Sequence, residues 1–145
     1  MKRRVVITGL GAVTPVGVGT KNFWGAICAG KSGVGPITRF YAKNYHSRIA
    51  GEVKDFQAED YLAKKEIKKM DPFIHYAVAA SIMVMEDAGF TISKEEANRF
   101  GALIGAGIGG LSTIEKYHEK VLKYNGPKKI TPFFIPMLII NLASG

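Results

Sequence analysis

The sequence has a single cysteine, Cys28, among 145 residues. No internal disulfide is possible and no cysteine-based zinc cluster can form. A reducing compartment is the simplest setting for such a chain. Histidine is scarce as well. His46, His75 and His118 lie at separations that suggest no metal site. No apolar run reaches the roughly 18 residues that a bilayer span needs. The longest candidates, residues 77–85 and 133–143, are short and contain polar residues or Pro136. A basic Met-Lys-Arg-Arg start precedes an apolar stretch, the outline of a signal peptide. Gly9, Gly11, Pro15 and Gly17 break that stretch, and no small-x-small cleavage site follows closely. Repeats and low-complexity tracts are absent. Acidic residues are few, 12 against 20 Lys plus Arg, which leaves a net charge of +8. That excess suits an acidic partner. The expectation is a soluble, cytoplasmic protein with no membrane partner.

What is present is an ordinary globular composition, 47% hydrophobic and 22% charged, at a length that suits one domain. Residues 5–8 are a short β-branched run ending at Gly9 and predict a buried strand. Thr20 predicts an N-cap, followed by a helix whose apolar face is Phe23, Trp24, Ile27 and Cys28 and whose stop is Gly30. A short strand is expected around residues 49–53. Asp71-Pro72 is a helix start, a cap followed by proline at the first helical position. The helix runs to about Gly89 and is apolar or small nearly all round, which predicts burial. Ser93 to Glu96 matches a capping box. Residues 100–104 predict a second buried strand, followed by the glycine cluster 105–110. Leu111, Ile114, Val121 and Leu122 then mark an amphipathic helix ending at Gly126-Pro127. Strands alternating with helices predict an α/β protein with a largely parallel sheet. Two strands form a poor sheet for so many buried helices, so the chain reads as part of a larger fold.

Three constellations could carry chemistry. Glycine clusters from Gly9 (GLGAVTPVG) and Gly105 (GAGIGG) each follow an expected strand. Glycine there permits close backbone approach. A dinucleotide site would place pyrophosphate on the next helix N-terminus. The first cluster has Thr14 where a third glycine should stand, and no acidic residue closes a second strand after the other cluster. Tight strand-to-helix packing is the alternative. Cys28 sits among apolar neighbours without a motif and is expected to be buried and inert. His75 is expected to be a satisfied core residue. Lys64, Lys65, Lys68 and Lys69 crowd into six residues. On a helix, 64/68 and 65/69 are like-charge neighbours, which points to an acidic partner. Lys128 and Lys129 add a second basic step. No aromatic interleaves with either cluster in sequence, which argues against nucleic acid.

Five segments together resemble the β-ketoacyl-acyl carrier protein synthases of type II fatty acid synthesis. They are RRVVITGLGAVTPVG at 3–17, GKSGV at 30–34, KKEIKKMDPFIHYA at 64–77, GALIGAGIGGL at 101–111 and KKITPFFIPMLIINLASG at 128–145. The resemblance implies a thiolase-like layered α-β-α-β-α fold, of which residues 1–145 form an incomplete N-terminal half. It implies a homodimer acting on acyl- and malonyl-loaded carrier protein, with no cofactor and no metal. Ile108 would line the acyl pocket, and Phe133 would reach the pocket across the dimer interface. Lys64, Lys65, Lys68, Lys69, Lys128 and Lys129 would dock the acidic carrier protein. The family's nucleophilic cysteine and its two catalytic histidines come later in family chains. Cys28 and the three histidines match none of them, so the chain alone is expected to be inactive. A non-catalytic carrier-binding remnant and a dinucleotide-binding domain are the alternatives.

Overall fold

Asp71-Pro72 opens the longest element, as predicted. In the computed structural model, which describes residues 3–145, a helix covers Pro72–Ala88. The Asp71 carbonyl accepts from the amides of Ile74 (3.0 Å) and His75 (3.4 Å), and its carboxylate accepts from Phe73 N–H at 3.4 Å. These are helix-start donors with no intrahelical partner. The far end closes on Gly89, φ 65°, whose N–H reaches the Met85 carbonyl at 3.2 Å. Ile74, His75 and Ala79 are buried on this helix. The His75 ring Nε2 lies 3.1 Å from the Ile67 carbonyl oxygen, so it is a satisfied core histidine.

The chain divides into two compact units, residues 1–57 with 80–90 and residues 58–79 with 91–145. The long helix gives its second half to the first unit and its first half to the second.

In the first unit, β1 (Val13–Thr14) and β2 (Gly17–Val18) pair antiparallel with Val13 opposite Val18. Helix α1 covers Thr20–Cys28. Thr20 is its first residue and not its cap: Gly19, at φ 84°, holds the cap position. The Asn22 side chain donates to the Val18 carbonyl at 2.9 Å. The stop at Gly30 is observed. The buried residue of α1 is Ala26. Trp24, Ile27 and Cys28 are exposed and Phe23 is half-buried, so most of the apolar face drawn from the sequence is uncovered and Cys28 is not buried. β3 (Val34–Pro36) pairs antiparallel with β4 (Ile49–Gly51).

Beside this ribbon the Glu52 carboxylate accepts from Thr38 Oγ1 (2.7 Å), Thr38 N–H (3.0 Å) and Arg39 N–H (3.2 Å). These bonds, the Thr38 hydroxyl foremost, hold its carboxyl below the ordinary 4.5. A lowered carboxyl stabilises the fold above its unfolded-state value and loses that contribution as pH falls through the folded one. Acidification below pH 4.5 is therefore expected to release the Thr38 and Arg39 amides to hydrogen exchange. A Glu52→Gln variant should lack that pH step; an unchanged step would sink the assignment.

The second unit is helical. A 3₁₀ turn at Ala58–Asp60 leads to α2 (Lys64–Ile67) and the first half of α3 (Pro72–Ala88). A 3₁₀ turn at Ala97–Arg99 follows the predicted capping contact, in which Ser93 Oγ accepts from Glu96 N–H at 3.3 Å. Then come α4 (Leu111–Lys123), a 3₁₀ turn (Pro127–Lys129), α5 (Phe134–Leu138) and a last 3₁₀ stretch (Ile140–Ala143). On α4 the buried residues are Thr113 and Tyr117. Leu111, Ile114 and Leu122 are exposed. The helix lies rotated from its predicted apolar face because Tyr117 packs edge-on against Phe134 of α5, ring centroids 5.4 Å apart.

Two expected strands are not formed. Residues 5–8 and 100–104 enter no ladder among the described residues, and Val5 (95%) and Leu103 (99%) lie open to solvent. Among the described residues both sheets are two-stranded and antiparallel, not the largely parallel sheet predicted. Composition favours a strand at these two runs, but a ladder also requires a neighbouring strand to receive its hydrogen bonds. Among the described residues no helix is long and apolar enough to cross a membrane.

Candidate functional site

The lysine run at 64–69 begins on α2, a single turn that starts when Glu66 N–H bonds the Ala63 carbonyl at 2.8 Å, and continues past its end through Lys68 and Lys69. Lys64, Lys65 and Lys68 are exposed. Lys69 is engaged twice. Its Nζ donates to Glu66 Oε1 at 2.6 Å and stands 5.5 Å from the centroid of the Phe133 ring. The structure thus brings Lys69 and Phe133 together, two residues singled out separately in the sequence.

Two residues beyond the run lies Asp71, only 5% exposed. Beyond capping α3, its Oδ2 accepts from Ser112 Oγ (3.0 Å) and Thr113 Oγ1 (2.6 Å) at the start of α4. One carboxylate therefore fastens two helix N-termini, where negative charge is favoured. Above it opens a cleft of about 360 Å³. Ile67, Met70, Pro72 and Met137 form its apolar lining, and Lys68 and Lys116 share it.

The glycine cluster 105–110 leads directly into α4. A Cβ on Gly110 would meet the Met137 carbonyl oxygen at 2.6 Å, and one on Gly109 the Leu138 oxygen at 2.6 Å. Gly109 also holds φ 76°, which disfavours side chains. These two glycines let the loop lie against α5. Ile108 is 67% exposed on that loop.

Helix α4 adds lysines that the sequence did not single out. Lys120 and Lys116 lie 4.6 and 6.0 Å from the Tyr117 ring. Lys123 and Lys129 lie 5.8 and 5.7 Å from the Tyr124 ring. Lys128 is exposed beside them. Aromatics do interleave with the basic residues in space, contrary to the sequence expectation. The i,i+4 spacing of Lys116 and Lys120 was a usable signal, masked by Glu115 and Glu119 between and beside them.

Solved structures share this fold. A ketosynthase/chain length factor from the ishigamide system matches with a TM-score of 0.81 and 28% identity, over 99% of this chain and 36% of its own. A β-ketoacyl synthase from Burkholderia phymatum matches at 0.77 and 24%, over 99% of this chain and 35% of its own. A ketosynthase solved with its type II PKS acyl-carrier protein matches at 0.76 and 23%, over all of this chain and 39% of its own. The fold is that of part of a ketosynthase, which bears out the expected thiolase-like class.

The family model for the β-ketoacyl synthase N-terminal domain matches residues 2–145, and the chain belongs to that family. Among curated relatives, the 3-oxoacyl-[acyl-carrier-protein] synthase 2 of Synechocystis sp. is 48% identical and that of Coxiella burnetii 50% identical, each over 144 residues. That of Vibrio cholerae is 46% identical over the same length. The alignments take 99% of this chain and 34% of each relative, so the chain spans about a third of their length.

Proposed function

We propose that this chain is the N-terminal part of a 3-oxoacyl-acyl carrier protein synthase, a cytoplasmic acyltransferase that elongates fatty acids. The observation that carries this reading is the 46–50% identity, across nearly the whole chain, to proteins of that name. The reaction joins an acyl thioester to malonyl-carrier protein with loss of carbon dioxide. A cysteine takes the acyl group as a thioester, and histidines and backbone N–H donors support carbon–carbon bond formation. Cys28, His46, His75 and His118 have no place in that machinery. This chain supplies surroundings: Ile108 as acyl-pocket wall, Phe133 as the aromatic that reaches across a homodimer, and the lysines 64, 65, 68, 69, 128 and 129 as the carrier-protein dock. The exposure of Lys64, Lys65, Lys68 and Lys128 supports the last role. Lys69, tied to Glu66 and Phe133, is the least available of the six.

The dinucleotide alternative is disfavoured at α4. The buried Asp71 carboxylate already takes the hydroxyls at that helix start, and a pyrophosphate would be repelled there. The carrier-binding remnant differs from the main reading only in catalysis.

Titration of an acidic acyl carrier protein into the chain tests the dock. Affinity should fall steeply with salt, and a Lys64→Glu/Lys65→Glu variant should lose about tenfold or more, since like charges across an interface repel. Affinity indifferent to both would overturn the dock. No acyl group should move from the carrier to this chain, and transfer would overturn the assignment of the chain to surroundings alone.

A further inference from the structure

We infer that the carrier-protein dock extends onto α4, and that the cleft shared by Lys68 and Lys116 receives an apolar side chain of the acidic partner. The inference rests on the docking reading above and adds residues to it: Lys116, Lys120 and Lys123, with Met70 and Met137 beneath.

Three observations point the same way. The first is excess positive charge. Lys116, Lys120 and Lys123 outnumber the two carboxylates of α4, Glu115 and Glu119, and none of the three forms an ion pair with a described residue. The second is preorganisation. Lys116 and Lys120 lie against Tyr117, and Lys123 and Lys129 against Tyr124, at 4.6 to 6.0 Å. An ammonium held near a ring face keeps its charge for a partner, and a side chain already placed loses less freedom on binding. The third is the cleft itself. It puts Lys68 of the predicted dock and Lys116 of α4 on one opening, over a lining of Ile67, Met70, Pro72 and Met137. Methionines adapt to varied apolar shapes. The one acidic group there, Asp71, is buried and committed to Ser112, Thr113 and Phe73. A basic rim over an apolar floor fits an acidic helix that presents one apolar side chain among its carboxylates.

The test titrates an acyl carrier protein into the intact chain and follows the methionine methyl signals. Lys116→Glu/Lys120→Glu should weaken binding about fivefold or more and flatten its salt dependence. The Met70 and Met137 methyls should shift on binding while Met83 and Met85 stay in place. If the chain binds and Lys64→Glu/Lys65→Glu weakens it, but the α4 reversal and the two methyls are indifferent, the extension is wrong and the dock stands. If the unaltered chain does not bind, the docking reading itself fails and takes the extension with it. A single-stranded oligonucleotide that displaces the carrier protein at equal concentration would overturn the partner class, because lysines interleaved with tyrosines also suit nucleic acid.

Discussion

Asp71→Ala is expected to destabilise the second unit by about 3 kcal/mol or more, read as a lowered urea midpoint. Two losses combine. The Phe73 amide loses its cap, worth about 1 kcal/mol. The Ser112 and Thr113 hydroxyls lose charge-assisted bonds, each worth about 1.5–3 kcal/mol. The shorter of these, from Thr113 at 2.6 Å, is buried, so little water can replace the missing oxygen. Asp71→Asn keeps one carbonyl acceptor and should cost about half as much. Thr113→Val preserves shape and removes only the hydroxyl, a change of about 1–2 kcal/mol. Because Asp71 and Thr113 share one bond, the double variant should lose less than the two singles added together. An Asp71→Ala midpoint close to that of the unaltered chain would show that α3 and α4 hold their places without this carboxylate.

The features legible in the sequence are those decided within a few residues. Asp71-Pro72 starts a helix because the cap and the proline act on the same turn, and that helix is observed at Pro72–Ala88. Gly30 and Gly89 end helices because each supplies a positive φ where the chain turns away. His75 could be read as a core residue from its apolar neighbours alone. The family itself was legible because five segments agree in order and spacing, and the match to residues 2–145 bears that out.

Features decided by distant neighbours were not legible. Residues 5–8 and 100–104 have strand composition and enter no ladder here, since pairing is not a property of the run itself. Helical periodicity found the apolar stripe of α4 but could not say which side would be covered. Asp71, forty-odd residues earlier in sequence, draws Ser112 and Thr113 inward, and Tyr117 follows them onto Phe134. That leaves Leu111 and Leu122 outside. The same rotation fixes which lysines meet which tyrosines, so the basic surface of α4 emerges only with the fold. Trp24 and Cys28 repeat the case on α1, where Ala26 takes the covered side.

Gly9 and Gly11 of the first cluster should be the least tolerant positions of the first unit. Each lies against the backbone of α3: a Cβ on Gly9 would press on the Val84 carbonyl oxygen, and on the Ala88 nitrogen at 2.8 Å, while one on Gly11 would press on the Ala80 carbonyl oxygen and sit 3.0 Å from Met83 Cβ. Ala80 and Val84 are one helical turn apart, so the glycine-bearing segment runs along a single ridge of that helix. Backbone cannot turn aside as a side chain can, so the segment must lift off. Overpacking of this kind costs about 1–3 kcal/mol per site and sometimes more. The pair Gly9→Ala/Gly11→Ala should therefore remove a large part of the roughly 5–15 kcal/mol typical of a domain. Gly25→Ala is the matched control. Gly25 lies inside α1 with nothing near its missing Cβ, and alanine there should stabilise by up to about 1 kcal/mol. Urea midpoints moving in opposite directions would establish that these glycines serve helix packing. A Gly9→Ala/Gly11→Ala chain as stable as the original would mean that the close approach to α3 is not what the glycines are for, and would reopen the ligand-binding explanation of the cluster.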